Sequence, residues 1–107
     1  MIRPREATES ERVAHLAGSE GYVIEDAGRV VACIGWCVLN NEFFIHSLVS
    51  EAGGWHVAAL AQACRKRAKA MGFSWAIFHI KHPYTSLADH IDGERVRLDF
   101  ALVSMKV

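Results

Sequence analysis

The chain has 107 residues, of which 51% are hydrophobic and 22% charged, and its 12 basic residues balance its 12 acidic residues. This length predicts a single domain, 1–107, and the apolar content excludes an intrinsically disordered chain. Zero net charge gives no general attraction to nucleic acid, and no apolar run reaches the roughly 18 residues of a membrane-spanning helix. Because the start is polar and three cysteines cannot all pair, we expect a cytoplasmic chain with reduced thiols.

The first predicted elements are a short strand and a capped helix. The strand spans Ile2 to Arg5, and Thr8 and Glu11 then have the spacing of a capping box, in which each side chain binds the other residue's backbone N–H. A helix is therefore expected to follow Thr8 and to end at Gly18. Its predicted apolar side consists of Val13, Leu16 and Ala17.

The next segment predicts a meander of three strands, Tyr22 to Glu25, Arg29 to Val38 and Glu42 to Val49. The first connection, Asp26-Ala27-Gly28, has the composition of a tight hairpin turn. The second, Asn40-Asn41, contains residues that tolerate positive φ. We therefore expect three antiparallel strands joined by short turns.

A long amphipathic helix is predicted from Gly54 to Met71, followed by an apolar strand from Phe73 to Lys81. A short helix from Ser86 to Ile91 and an alternating strand from Arg95 to Val107 complete the chain. The order β-α-β-β-β-α-β-α-β predicts an α+β domain whose mixed, mostly antiparallel sheet carries the helices. The buried stripe of the long helix is predicted to contain Val57, Leu60, Ala61, Cys64, Ala68 and Met71.

This order of elements resembles the GNAT acyltransferase fold over nearly the whole chain. The segment IRPREATESERVAHLA is similar to the first strand and helix of that family, and AKAMGFSWAIFHI is similar to the helix end and strand that follow its cofactor loop. A helix that often shapes the family's acceptor site has no counterpart in the sequence. A weaker similarity, carried by the Ile-Arg-Pro start, Trp55 and Trp75, links the chain to short GNAT-like internal virion proteins of tailed phages.

In the GNAT family the cofactor loop opens the long helix, and it reads Arg or Gln, two residues, Gly, one residue, then Gly or Ala. Backbone N–H groups of this loop bind the pyrophosphate of acyl-CoA, and the glycines leave room for it. Here the two glycine positions hold Trp55 and Val57, so the resemblance implies a degraded loop. If acetyl-CoA binds, its candidate binding residues are Gly53, Gly54, Trp55 and His56.

The catalytic positions of the family are also altered. The resemblance places a tyrosine general acid four residues before the glycine of the late helix, where this chain has Asp89, and an asparagine where it has His82. In an active enzyme, Tyr84 is the candidate acid and His46 the candidate base, since imidazole titrates near neutral pH. Alternation along the strand predicts one face made of Glu42, Phe44, His46 and Leu48.

Each candidate also has a structural interpretation. Trp55 either packs against the sheet or faces a partner or the cofactor slot, and Gly53-Gly54 serves either a phosphate or a tight turn. His46 is either a base or a half-buried strand residue. Cys33 and Cys37 share a strand face, but no CxxC motif or tight histidine set accompanies them, so no metal site is expected.

The altered loop and catalytic positions predict a small GNAT-fold protein that is not catalytically competent and that acts as a binding or structural protein, such as a phage virion component. No cofactor is then expected, and the partner is another protein or another copy of the chain. One alternative is an active N-acetyltransferase that uses acetyl-CoA with a divergent loop. A second is a small inhibitor or nucleic-acid-binding module that uses the basic run Arg65 to Lys69, although such a run more often forms a solvated helix face.

Overall fold

The computed structural model describes residues 3–51, 53–79 and 102–107. This part of the chain contains two helices and six strands, and all six strands belong to one sheet. The predicted helix from Ser86 to Ile91 lies outside the described residues. The elements are β1 (Arg5–Glu6), α1 (Glu9–His15), β2 (Glu20–Asp26), β3 (Arg29–Leu39), β4 (Glu42–Ser50), α2 (Gly53–Ala70), β5 (Trp75–His79) and β6 (Leu102–Lys106).

The strands follow one another across the sheet in chain order, from β1 to β6. The first four form an antiparallel meander, β4 and β5 are parallel, and β6 is antiparallel to β5. A parallel neighbour requires a crossover connection, and α2 supplies it between β4 and β5. The prediction of an α+β domain with a mixed, mostly antiparallel sheet is confirmed. Neither described helix is long and apolar enough to cross a membrane.

Both hairpin turns of the meander have the backbone that their composition predicts. Ala27 and Gly28 have φ of +53° and +76°, and Asn40 and Asn41 have φ of +51° and +63°. Two consecutive residues with positive φ define a tight hairpin whose twist matches that of the flanking strands. The turns therefore fix the register of β2 on β3 and of β3 on β4.

Thr8 caps α1 as the sequence predicts. The Glu11 backbone N–H donates to Thr8 Oγ1 at 3.3 Å, and the Thr8 backbone N–H donates to Glu11 Oε1 at 2.9 Å, which completes the capping box. At the other end of the helix the Gly18 N–H donates to the Arg12 carbonyl oxygen at 2.9 Å, with φ of +82° at Gly18. The helix itself ends at His15, three residues before the predicted Gly18, and Gly18 supplies a hydrogen bond that closes the C-terminal turn.

The predicted apolar side of α1 is wrong. Val13 is 71% exposed and Ala17 is also exposed, whereas Leu16 is fully buried against Val23 and Cys33. The helix has only seven residues, and it is attached to the sheet through the residue at its C-terminal cap rather than along its length. The exposed Val13 is therefore left on the outer surface of α1.

Arg5 joins three elements near the edge of the sheet. Its guanidinium donates to Glu11 of α1 at 2.7 and 2.8 Å and to Glu25 of β2 at 2.6 Å. The predicted first strand, Ile2 to Arg5, is shifted, since the described strand starts only at Arg5, after Pro4, which cannot donate a backbone hydrogen bond. β1 is thus a short edge strand whose main attachment is an ion cluster.

The ion cluster predicts a specific loss of stability in acid. The hydrogen bond from Arg5 lowers the pKa of Glu11 to about 2, below the ordinary value of 4.5. A lowered folded-state pKa stabilises the protein above pH 4.5, and this stabilisation is lost as the pH falls from 4.5 towards 2. Because the cluster is partly exposed to solvent, we expect Glu11→Gln to cost only about 1 kcal/mol at neutral pH. Urea denaturation should show this difference at pH 7 and its disappearance near pH 2; a difference independent of pH would contradict the assignment.

α2 covers one side of the sheet, which we call the α2 face. The Trp36 and Phe43 rings stack there with centroids 4.8 Å apart, and Phe43 meets the edge of Phe73 at 5.8 Å. The Arg67 guanidinium lies over the Trp36 ring, 5.6 Å from its centroid. The buried core residues of this face are Ile24, Ala32, Ile34, Trp36, Phe43, Ile45, Leu60, Ala61, Cys64, Ala68, Ala76, Phe78 and Met105.

The buried stripe of α2 starts one residue earlier than predicted. Leu60, Cys64 and Ala68 are fully buried, as expected, but Met71 is 40% exposed and Val57 is only half-buried. His56 takes the first place in the stripe, four residues before Leu60. The helix also runs from Gly53 to Ala70 rather than from Gly54 to Met71, because the chain turns at Gly72, whose φ is +86°.

Candidate functional site

The candidate cofactor residues all lie in the first turn of α2. The helix begins at Gly53, so Gly53 and Gly54 are its first two residues and Trp55 its third. No acidic residue occurs in this turn, which leaves its positive dipole end uncompensated by a side chain. A helix start of this kind attracts anions in principle, provided that no side chain fills the space in front of its N–H groups.

Trp55 stands at the first of the two positions where the loop pattern requires glycine. The residue is 53% exposed, so its side chain is not part of the buried core. Its ring meets the ring of His56 edge-on, with centroids 3.9 Å apart and an angle of 67° between the planes. A large, half-exposed indole is therefore carried by the first turn of α2, where the resemblance would place the pyrophosphate.

His56 is buried, with 3% of the residue exposed. Neither Nδ1 nor Nε2 has a hydrogen-bond partner among the residues that the structure describes. A buried polar group that lacks a partner costs about 1–3 kcal/mol. The four-residue spacing from His56 to Leu60, Cys64 and Ala68 could have predicted its burial, although no sequence signal indicates that it would lack a partner.

We predict that His56→Leu stabilises the protein. Leucine continues the apolar stripe and removes the two unpaired nitrogens, so the free energy of unfolding should rise by about 1–2 kcal/mol. Urea denaturation of the two proteins measures this change. His15→Leu, at an exposed position of α1, is the matched control and should leave stability nearly unchanged. A loss of stability in His56→Leu would show that the imidazole has a stabilising partner.

His46, the candidate base, occupies a β-bulge. Gly35 pairs with Ser47 and the next residue, Trp36, pairs with Ile45, so His46 is an extra residue that β3 does not match. A glycine inside a strand predicts a bulge or a close approach, and both occur at Gly35: a Cβ atom placed there would lie 3.2 Å from His46 Cε1. Bulges often redirect one side chain next to a functional site.

The bulge overturns the predicted face of β4. Simple alternation would place His46 and Leu48 on the same face, but Leu48 packs on the α2 face together with Phe43 and Ile45. His46 lies over Gly35 on the opposite face, which we call the α1 face because α1 packs there through Leu16. Gly35 inside β3 predicts a bulge or a close approach at this point, but the sequence does not indicate that the extra residue lies on β4.

The environment of His46 suits a neutral imidazole. Its Nδ1 lies 2.9 Å from Ser47 Oγ, within hydrogen-bond distance, and partial burial lowers the pKa of His46 below the ordinary value of 6.5. A neutral imidazole has an unprotonated nitrogen that can accept a proton, and a general base requires such a group. Tyr84, the candidate acid, lies outside the described residues.

The two halves of β4 differ in their pairing. Phe43 to Ile45 pair with Ala76 to Phe78 of β5, while the half from His46 onward has no β5 partner within the described ranges. The last described pair, Ile45 with Phe78, lies next to the bulge. No described hydrogen bond or ring contact links His46 to the first turn of α2.

The cysteines differ in their surroundings. Cys33 is buried against Leu16 and Val23, and burial raises the pKa of its thiol. In the parts of the chain that the structure covers, no three His, Cys, Asp or Glu side chains converge as metal ligands. Cys64 is fully buried in the α2 stripe, where it acts as a small core residue.

Comparisons with known proteins give no further assignment. No protein-family model matches the sequence, and searches of curated proteins and of solved structures found no match.

Proposed function

We propose that this chain is a GNAT-like domain without acyltransferase activity, which acts by binding another macromolecule. The order of the helices and strands supports the proposal of a GNAT-like fold: a four-stranded meander is followed by a helix that crosses over to a parallel fifth strand. The observation that carries the proposal is Trp55, which is half-exposed in the first turn of α2 at a position that needs glycine for pyrophosphate. A structural role inside a phage particle is the form of this function that the weaker resemblance suggests.

Ligand-induced stabilisation tests this proposal. A ligand at 100 times its dissociation constant stabilises a folded protein by about 2.7 kcal/mol, which raises its melting temperature by several degrees. We expect acetyl-CoA at millimolar concentration to leave the melting temperature of the protein unchanged. A rise that saturates at micromolar concentration would overturn the proposal.

A second candidate function, N-acetyltransferase activity, is favoured by one observation. His46 lies in a bulge next to Ile45, the last residue of β4 with a described β5 partner, and burial lowers the pKa of its imidazole. In the family, the gap between these two strands holds the pantetheine of acyl-CoA. This candidate predicts that the protein releases CoA thiol from acetyl-CoA in the presence of amines, and that His46→Gln abolishes the release while the protein remains folded.

A further inference from the structure

Two neighbouring residues of β4, His46 and Ser47, meet through their side chains, and we call them the Ser–His pair. Nδ1 of His46 lies 2.9 Å from Oγ of Ser47, within hydrogen-bond distance. Successive side chains of a regular strand point to opposite faces of the sheet, so neighbours of this kind normally point away from each other. The contact therefore depends on the irregularity of β4 at this point.

The bulge brings both side chains of the pair to the α1 face. Ser47 pairs with Gly35 of β3, and a Cβ atom at Gly35 would point towards Leu16 and Ser19, which lie on the α1 side of the sheet. Ser47 therefore points to the same side. His46 is the extra residue of the bulge, and its Cε1 atom lies over Gly35 as well. Base and hydroxyl thus stand side by side on one face.

The two strands that carry the pair surround it with uncharged side chains. By alternation from the observed register, Cys33 and Cys37 of β3 and Phe44 and Val49 of β4 lie on the same face as the pair. Within these two stretches of strand, the thiols of the cysteines are the only other titratable groups on this face. Both residues of the pair are half-buried, so each keeps part of its surface in contact with solvent.

We propose that Ser47 is a nucleophile activated by His46, and that the pair hydrolyses small, uncharged carboxylic esters through an acyl-serine intermediate. A hydroxyl is a weak nucleophile unless a base within hydrogen-bond reach, about 2.6–3.2 Å, accepts its proton. The contact of 2.9 Å between the two side chains lies in this range. The uncharged surroundings on β3 and β4 favour an ester without charged groups, because they offer a charge no partner.

The reaction uses the imidazole tautomer that carries its proton on Nε2, so that Nδ1 accepts the hydroxyl proton of Ser47. Oγ forms a bond to the acyl carbon, its proton moves to Nδ1 of His46, and the alcohol departs with that proton when its C–O bond breaks. Water then attacks the acyl-serine, Nδ1 takes a proton from the water and returns it to Oγ, and the carboxylic acid is released. Ester and water are consumed, and neither a cofactor nor an oxidant is required.

This activity goes beyond the proposed binding function and does not use the first turn of α2, because an uncharged ester has no pyrophosphate. Binding of acetyl-CoA would overturn the proposed loss of the cofactor site and would leave ester hydrolysis by the pair unaffected. The activity also differs from the acetyltransferase candidate, in which His46 acts on an amine and Ser47 has no role. The effect of Ser47→Ala therefore separates the two reactions.

p-Nitrophenyl acetate, a small uncharged ester with a coloured product, tests the pair. The full chain should release p-nitrophenolate faster than buffer does, and mass spectrometry of the acid-quenched protein should find an acetyl group on Ser47. Ser47→Ala and His46→Gln should each lower the protein-dependent rate by about 100-fold or more, since a general base contributes at least this factor. Ser19→Ala is the matched control and should keep the rate, because the Ser19 hydroxyl donates to the Leu16 carbonyl oxygen at 2.8 Å rather than to a base.

The pH dependence separates the pair from non-specific acylation. His46 must be neutral to act as a base, and burial lowers its pKa below 6.5, so the rate should rise with pH and reach a plateau by about pH 7. A rate that still climbs towards about pH 10 would indicate attack by lysine or hydroxide and would overturn the inference. So would an acetyl group found on Cys37 or a lysine instead of Ser47, full activity of Ser47→Ala, or no protein-dependent release. The site of acetylation is read on the unsubstituted chain, so it decides the matter even if a variant fails to fold.

Discussion

Replacing Gly21 with alanine is expected to destabilise the protein by about 3 kcal/mol, at the upper end of the range for overpacked cores. A Cβ atom on Gly21 would overlap the backbone carbonyl oxygen of Ile34 and the Cδ1 atom of Leu16. The first of these is main chain of the neighbouring strand, so the clash can be relieved only if β2 moves away from β3. Since Leu16 is the one residue through which α1 is buried on the sheet, the same change should also loosen α1.

Gly35→Ala is the matched control for this prediction, because Gly21 and Gly35 are direct partners across β2 and β3. The three atoms nearest to a Cβ there belong to the side chains of Ser19, His46 and Leu16, at 3.1 to 3.3 Å. These side chains can yield by a few tenths of an ångström, so Gly35→Ala should cost clearly less than Gly21→Ala. Urea denaturation of both variants measures the difference. Equal losses would show that the strand backbones are not as close at Gly21 as the structure indicates.

Phe43→Ala is expected to cause the largest loss of stability, about 3–5 kcal/mol, as is usual for a buried aromatic truncated to alanine. Phe43 is fully buried at the centre of the α2 face, stacked on Trp36 and in edge contact with Phe73. Its removal leaves a cavity between the meander and the end of α2, and it deprives the Trp36 ring of its stacking partner. The cation–π contact of Arg67 with Trp36 should weaken as well.

The neighbouring Phe44 provides the comparison for this variant. It is half-buried and belongs to the same strand, one residue further along and therefore on the other face. Phe44→Ala should cost markedly less than Phe43→Ala in the same urea titration. If the two substitutions cost the same, the main core would not lie on the α2 face.

The sequence predicted those parts of the fold that depend on local chemistry. The capping box of Thr8 and Glu11 and the positive φ of Asn40 and Asn41 depend on neighbouring residues, and each was found where the sequence placed it. The apolar strand near Phe78 was also found, although β5 starts at Trp75 rather than at the predicted Phe73.

Features that depend on tertiary packing were missed. The exposure of Val13 follows from how the short helix α1 meets the sheet, and the helical spacing of apolar residues does not contain that information. The bulge at His46 depends on the register between two strands, and one extra residue reverses the face of everything after it. The sequence therefore predicted the strand that carries His46, but not the strand in which the extra residue of the bulge lies.

His56 also has one feature that the sequence predicts and one that depends on tertiary packing. Its place in the buried stripe follows from its spacing to Leu60, which the sequence contains, but its lack of a partner follows from which polar groups the fold leaves near it. Trp55, next to it, was open to two interpretations in the sequence, and in the structure it is 53% exposed rather than part of the buried core. The first turn of α2 thus combines an exposed indole with a buried, unpaired imidazole.

The loss of the acyl-CoA site can be tested at the residues concerned by following backbone amide signals in ¹H–¹⁵N spectra during a titration with acetyl-CoA. The amides of Gly53 to Val57 would bind the pyrophosphate if the loop worked, so their signals report on it directly. We predict that these signals, and the indole N–H of Trp55, stay in place up to millimolar acetyl-CoA. Saturable shifts of the same amides at micromolar acetyl-CoA would contradict the proposal and would show that the loop binds the cofactor with Trp55 in place.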